Sequence, residues 1–319
     1  MTRRMRNGRN YSDFAVLYRT NAQSRALEEQ LVRKNIPYRL FGGTKFYDRK
    51  EIRDIHSYLK AVNNPDDDIA IRRILNVPRR GIGDTSAERA ATFAAENGIS
   101  LFDAIGRADE IPANSRGAKN LKEFHKLMTS LIEQKDTVSV SELIDIVSHK
   151  SGYIDSLENE GTEEAQMRIE NIDEFTAKAV EFEKTTEDAT LSAFLEEIAL
   201  VADIDSYNEN DDAVVLMTLH SAKGLEFPYV FMVGMEEGLF PGSRAISSGD
   251  PNDMEEERRL CYVGITRARK ELFLTYALHR MQHGQIQYNA PSRFLAELPP
   301  ELLDNRIKKP QNDPIKHWS

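Results

Sequence analysis

One cysteine in 319 residues, Cys261, excludes a disulfide within the chain and fits a reducing cytoplasm. No apolar run approaches the ~18 residues that a membrane-spanning helix needs. The basic opening MTRRMRNGRN is not followed by an apolar stretch, which excludes a secretory signal. The phosphate-loop pattern G-x-x-x-x-G-K-[ST] occurs nowhere: "GGTK" at 42–45 and the pair Lys223-Gly224 both fail it. No Ser-His-Asp or paired-carboxylate arrangement stands out, and neither an internal repeat nor a long low-complexity tract is present. His279 and His283 stand four apart, as zinc ligands on a helix can, but no third ligand or acidic partner is evident, so no metal site is expected. Cys261 lies in an apolar-patterned helix and reads as core rather than as a reactive thiol.

What remains is a globular composition, 40% hydrophobic and 29% charged, in a chain long enough for two domains. The net charge of −10 argues mildly against nucleic acid, but the charge is unevenly spread. Residues 1–60 hold 14 Lys and Arg against 6 Asp and Glu, whereas residues 151–212 hold 3 against 19. A basic face joined to an acidic lobe is compatible with DNA binding, because affinity follows local phosphate neutralisation. Ordinary solvated faces would give the same balance.

The two ends of the chain read as α/β and the middle as all-helical. "FAVLY" (14–18) is strand-like, the run from Asn21 has Leu27, Leu31 and Val32 at helical spacing, and "IPYRLF" (36–41) is strand-like again. Strand, helix, strand at this spacing predicts a βαβ unit and a parallel sheet. The alternation returns late: 213–220 and 229–235 are strand-like, 254–269 is helical, and 271–277 is strand-like. Between them, Ile52, Ile55, Leu59 and Val62 share one helical face. Further helices are expected near 66–75, 84–97, 117–134, 140–149, 163–183 and 190–202. The expected organisation is a sheet domain formed by 1–41 and 206–303, a helical insertion at 42–205, and a frayed tail at 304–319.

Three stretches carry candidate chemistry. In "LMTLHSAKGLEF" (216–227), Thr218, His220 and Ser221 stand at the carboxyl end of a strand, where open α/β sheets bind ligands. They could hold phosphates of a nucleic-acid strand or of a nucleotide; an ordinary strand exit would look the same. In "YRTNAQSR" (18–25), Arg19, Thr20, Asn21 and Ser24 place donors near a helix start, as a phosphate site or as a plain N-cap. In "NVPRRGIGD", Arg79 and Arg80 precede the turn Gly81-Ile82-Gly83, which opens a helix. Glycines let a backbone approach a ligand closely, as a non-specific duplex clamp needs, although a tight interhelical turn remains the alternative.

In this order the stretches "AVLYRTNAQSR", "GGTKFYDRKEIRD", "VPRRGIG", "LMTLHSAKGLEFPYVFMVGMEEGLFP", "EEERRLCYVGITRARKEL" and "PSRFLAELP" resemble the C-terminal half of a superfamily-one DNA helicase of the UvrD/Rep/PcrA type. They are most similar to the PcrA branch of Gram-positive bacteria and span about residues 13–300. The resemblance implies a RecA-like motor domain without the phosphate loop, interrupted by a mobile helical accessory subdomain. It implies that Arg267 reaches the ATP γ-phosphate as an arginine finger, and that Glu226, beside Gly224, meets the ribose. Thr218 and His220 then match positions near the single strand or the coupling between strand and nucleotide, Arg19 and Asn21 a DNA-backbone contact, and Gly81-Ile82-Gly83, which Arg79 and Arg80 precede, the duplex-binding turn.

One position departs from the family pattern. Where relatives often carry a base-stacking aromatic residue, this chain has His283, whose imidazole stacks less extensively. The larger departure is the lack of a first motor domain with its phosphate loop and Mg²⁺-binding carboxylates. The implied cofactors, ATP and Mg²⁺, would be held mainly there, and the chain alone is expected to be inactive. Implied partners are single-stranded DNA, single-strand/duplex junctions, the other motor domain and repair or transcription proteins, in a bacterial cytoplasm and at its nucleoid. Two other readings stay open: a non-catalytic DNA- or protein-binding module that regulates the motor, favoured by the acidic 151–212 stretch, and the helicase part of a helicase–nuclease, which lacks a carboxylate cluster after residue 300.

Overall fold

The computed structural model describes residues 9–112, 117–205, 212–282 and 285–304. Five strands, β1 (Phe14–Tyr18), β2 (Tyr38–Leu40), β3 (Val214–Thr218), β4 (Phe227–Met232) and β5 (Ala268–Leu274), form a parallel sheet in the order β2-β3-β1-β4-β5. All five residues of FAVLY are buried because β1 is the central strand, covered on both faces. Phe14, Val16 and Tyr18 face a cluster with Val32 of helix α1 (Ser24–Arg33), Ile36 and Tyr38. Ala15 and Leu17 face the opposite cluster with Met217, Val230, Phe240, Leu260 and Cys261. Cys261 is core, and burial pushes its thiol up to about 12.

Between β2 and β3 the described elements are helical. They are α2 (Lys50–Asn63), α3 (Asp68–Ile74), α4 (Asp84–Asn97), α5 (Leu101–Gly106), α6 (Ala118–Ile132), α7 (Val140–Lys150), α8 (Tyr153–Glu160), α9 (Glu163–Thr185) and α10 (Leu191–Asp205). They share a core in which Ile52, Ile55, Leu59 and Val62 pack with Leu121, Phe124, Leu143, Phe175 and Phe194. The helical spacing predicted that face. Helices α5 and α8 were not foreseen, because six and eight residues are too few to show a periodic stripe. The fold is therefore α/β with an all-helical segment inserted between two strands of one parallel sheet.

The helical segment meets the sheet unit through buried charge. Lys178 of α9, 1% exposed, lies 2.7 Å from Glu197 and 3.5 Å from Glu29 of α1. Arg25 of α1 bonds Glu29 at 3.0 Å and Glu174 of α9 at 2.7 Å. Arg49 donates to Asn171 Oδ1, Ser24 Oγ and the Asn21 carbonyl at 2.8, 2.6 and 3.1 Å. Burial raises the cost of a carboxylate at Glu29, but Arg25 and Lys178 together hold it below its ordinary range. Such charges are tolerated in the interior because each finds partners.

After β4 come α11 (Ser243–Ser247), α12 (Pro251–Ile265), the hairpin β6–β7 (Arg280–Gln282 and Gln285–Gln287) and α13 (Arg293–Ala296). The helix expected over 254–269 ends at Ile265, and the strand expected at 271 begins at Ala268. Side chains decide this: Thr266 Oγ1 and Arg267 Nε both donate to the Val263 carbonyl, at 2.9 Å each, closing the last turn. Residues 305–319 of the expected tail lie outside the described residues.

Candidate functional site

A parallel sheet sends all its strand ends to one edge, and the sequence-predicted strand-binding residues gather there. Tyr18 pairs with Thr218, so the exits of β1 and β3 are neighbours. The Arg19 guanidinium forks onto Glu257 of α12, with Nη2 and Nε 2.7 and 2.9 Å from Oε1. Gln23 Oε1 accepts the backbone N–H groups of Arg19 and Thr20, both at 2.9 Å, and so shapes the loop before α1. Asn21 is part-exposed; its side-chain amide lies 4.0 Å from the sulfur of Met167 on α9. Thr218 Oγ1 accepts the Ser221 N–H at 3.2 Å, and the two hydroxyls are 3.0 Å apart. His220 reaches solvent. Partial burial and then the Arg19 charge keep its pKa below the ordinary value, against the pull of Glu257, Glu256 and Glu163, so the imidazole is neutral at pH 7.

Glu226, Gly224 and Arg267 gather at the opposite edge, where β4 and β5 begin. Arg267 donates through Nε to the Val263 carbonyl, through Nη1 to the Leu225 carbonyl at 2.9 Å, and through Nη2 to Thr266 Oγ1 at 3.0 Å. Three of its five N–H donors are thus used, and the other two have no partner among the described residues. Glu226 is half-exposed and paired with Arg269 at 2.9 Å. Gly224 has φ +86 with open space where a Cβ would stand. The segment 219–226 joins the two edges directly, anchored beneath by Leu219, Ala222 and Leu225 in the apolar cluster. A shift at one edge therefore has a short covalent route to the other.

The Arg79–Gly83 turn belongs to the helical segment. Arg79 is exposed, as a phosphate contact requires, but Arg80 turns inward. Its guanidinium donates to the Tyr58 hydroxyl at 2.6 Å and to the Ser151 and Pro78 carbonyls at 2.8 and 3.0 Å, so its donors brace the turn from inside. The Ile82 side chain is 2% exposed, which leaves backbone as what the turn can offer outward. Asn76 Oδ1 accepts the N–H groups of Arg80 and Ile82, and Gly81 holds φ +71. His283 lies outside the described residues. The β6–β7 hairpin is tethered by Glu236, 0% exposed, which accepts from Arg280, the Ala277 N–H and Asn289.

Sequence reasoning missed Glu257, Gln23 and Arg269. Glu257 stood in plain view in "EEERR", but nothing in its spacing says that its partner is Arg19. Residues fit for a nucleotide are present in Arg267 and Glu226. Among the described residues no group of three or more His, Cys, Asp or Glu could hold a metal ion. No described helix is long and apolar enough to cross a membrane.

Comparison with known proteins gives the family. The family model described as UvrD-like helicase C-terminal domain matches residues 1–279. Over 302 residues the chain is 51% identical to the ATP-dependent DNA helicase PcrA of Staphylococcus aureus (strain Mu50 / ATCC 700699). It is 50% identical to the protein of the same name from Staphylococcus epidermidis (strain ATCC 12228 / FDA PCI 1200). Each alignment covers 94% of this chain and 41% of the relative, so the chain spans about two fifths of the length of these relatives.

Proposed function

This chain belongs to the UvrD-like helicase C-terminal domain family, and from that premise we propose that it supplies the arginine finger and the DNA grip of an ATP-dependent 3′→5′ DNA helicase acting in repair and replication. Residues 1–41 and 206–303 form the second motor domain in this reading, and 42–205 its accessory subdomain. ATP binds between this unit and a phosphate-loop domain, whose motif this sequence does not contain. Arg267 meets the terminal phosphate and stabilises charge on the phosphoryl group in transit, an effect worth ~10³–10⁵ in rate. Glu226 accepts a hydrogen bond from the ribose, exchanging its Arg269 partner for the nucleotide.

At the other edge Arg19, Asn21, Thr218 and His220 hold the single strand, mainly by its backbone. Arg79 and the backbone of Gly81–Gly83 hold duplex ahead of it. Segment 219–226 carries cleft closure to the strand-binding edge, so that nucleotide binding and strand stepping are coupled. Mg²⁺ belongs in this reading with the phosphate-loop domain; among the described residues of this chain no group of three or more His, Cys, Asp or Glu could hold a metal ion.

The observation that carries this reading is the layout of one sheet: a braced arginine beside a carboxylate at one edge, donors at the other, and the eight-residue segment 219–226 running from one edge to the other. Complementation tests it. The chain is mixed with a separately produced phosphate-loop domain of a relative and single-stranded DNA, and phosphate release is followed. Turnover that depends on DNA and falls by roughly 10³ or more in Arg267→Ala is the expected result. Silence from pieces shown to associate would move the reading to a regulatory binding module, and turnover by the chain alone would overturn its predicted inactivity.

A further inference from the structure

Phe41 is 47% exposed immediately after β2, and nothing in the packing calls for a phenyl ring in water. Its backbone is nonetheless well held: the Phe41 N–H donates to the Leu216 carbonyl at 2.9 Å, extending the β2–β3 ladder. The chain then turns at Gly42, with φ +72, where a Cβ would stand only 3.2 Å from Ser221 Oγ. Phe41 is therefore one residue from the Ser221–Thr218 hydroxyl pair.

The strand order turns this proximity into a row. Three neighbouring strands end at one edge: β2 with Phe41, β3 with Thr218 to Ser221, and β1 with Arg19 to Asn21. With strands ~4.8 Å apart, the row is about 10 Å long. It is polar and cationic along β3 and β1, and aromatic at β2. A single strand has the same two characters, an anionic backbone and bases with exposed π-faces. Donors alone hold its backbone and leave the bases in water. An aromatic ring fixed at the end of the row adds stacking, which tolerates any sequence. Tyr262 and Tyr288 are more exposed, but Tyr262 lies within α12 and Tyr288 follows the separate β6–β7 hairpin.

We propose that Phe41 is a stacking platform for one base of the single strand that crosses this edge. The inference rests on the DNA reading above and adds to it a base subsite.

The test uses the 319-residue chain and a fluorescein-labelled oligo(dT), with binding followed by polarisation. Phe41→Leu, which keeps apolar bulk but loses the ring, is expected to weaken binding at least roughly fivefold, and Phe41→Tyr to leave it within about twofold. A single abasic position should weaken the parent chain and have no further effect on Phe41→Leu. In a Trp318→Phe background, Phe41→Trp should show emission quenched by the oligonucleotide. Equal binding by Phe41→Leu, no such abasic position, or an unquenched Trp at 41 would overturn the platform while leaving the DNA reading intact. A parent chain that binds no single strand would overturn both.

Discussion

Arg19 and Glu257 form a forked ion pair, at 2.7 and 2.9 Å, that ties the exit of β1 to helix α12. The Glu257 side chain is 7% exposed and Arg19 27%, so the carboxylate depends on this partner more than the guanidinium does. Arg19→Ala should leave an uncompensated carboxylate and destabilise the fold by roughly 1–3 kcal/mol, less than for a fully buried pair because water reaches Arg19. The double variant Arg19→Met/Glu257→Leu should recover most of that loss. Urea denaturation of the two variants checks both statements; equal loss in single and double variants would refute the coupling.

Lys178 is a stricter case. It is 1% exposed and sits between Glu29 and Glu197 at the junction of α1, α9 and α10. Lys178→Ala removes the cation and leaves two facing carboxylates with less compensation, at an expected cost of roughly 3–5 kcal/mol. The damage should concentrate where the helical segment meets the sheet, so hydrogen exchange should rise first in α1 and α9. A uniform rise across both units would contradict this.

These cases show what the sequence makes legible. The β1 strand was readable as a short continuous apolar run, buried on both faces, and the face of α2 and most of the insertion's helices because burial imposes a period of 3.6 on apolar residues. Lys178 and Glu29 were not, since a buried lysine and a solvated one leave the same mark in sequence and the partners lie far apart in it. Arg79 and Arg80 make the same point as adjacent identical residues: one faces solvent, and the other is claimed by Tyr58 and the Ser151 carbonyl. The end of α12 was misplaced because it depends on which side chain takes the Val263 carbonyl, a choice that periodicity does not record. Residue types at the site followed the motifs; their pairings came only from the fold.

A pH dependence follows from His56 on α2. Burial, and then the nearby Lys60 charge, lower its pKa to about 4, and its Nε2 has no hydrogen-bond partner among the described residues. Below about 6.5 the unfolded chain takes up a proton at this histidine, whereas the folded chain does so only near 4. The stabilisation is complete above pH 6.5 and is lost as pH falls towards 4, by up to about 3 kcal/mol. Unfolding free energies measured across that window should fall less steeply in His56→Leu than in the parent. Parallel curves would show that His56 titrates normally.

Gly81 offers a test of the helical turn that separates its role from that of the sheet edge. Its φ of +71 favours glycine, and an added Cβ would lie 2.9 Å from Asn120 Nδ2, whose hydrogen bond to the Gly81 carbonyl docks α6 on the turn. Gly81→Ala should therefore cost about 1–2 kcal/mol and displace Asn120, loosening the turn without touching the sheet. If the Gly81–Gly83 backbone holds duplex, binding to a blunt duplex should weaken several-fold in this variant, while binding to oligo(dT) stays unchanged, because Arg19, Asn21, Thr218 and His220 lie on a different unit. Asn120→Ala provides the control, since it removes the docking bond and leaves the turn its glycine. It should weaken duplex binding less than Gly81→Ala does. Loss of both binding activities together in Gly81→Ala would mean that the turn and the sheet edge form one site.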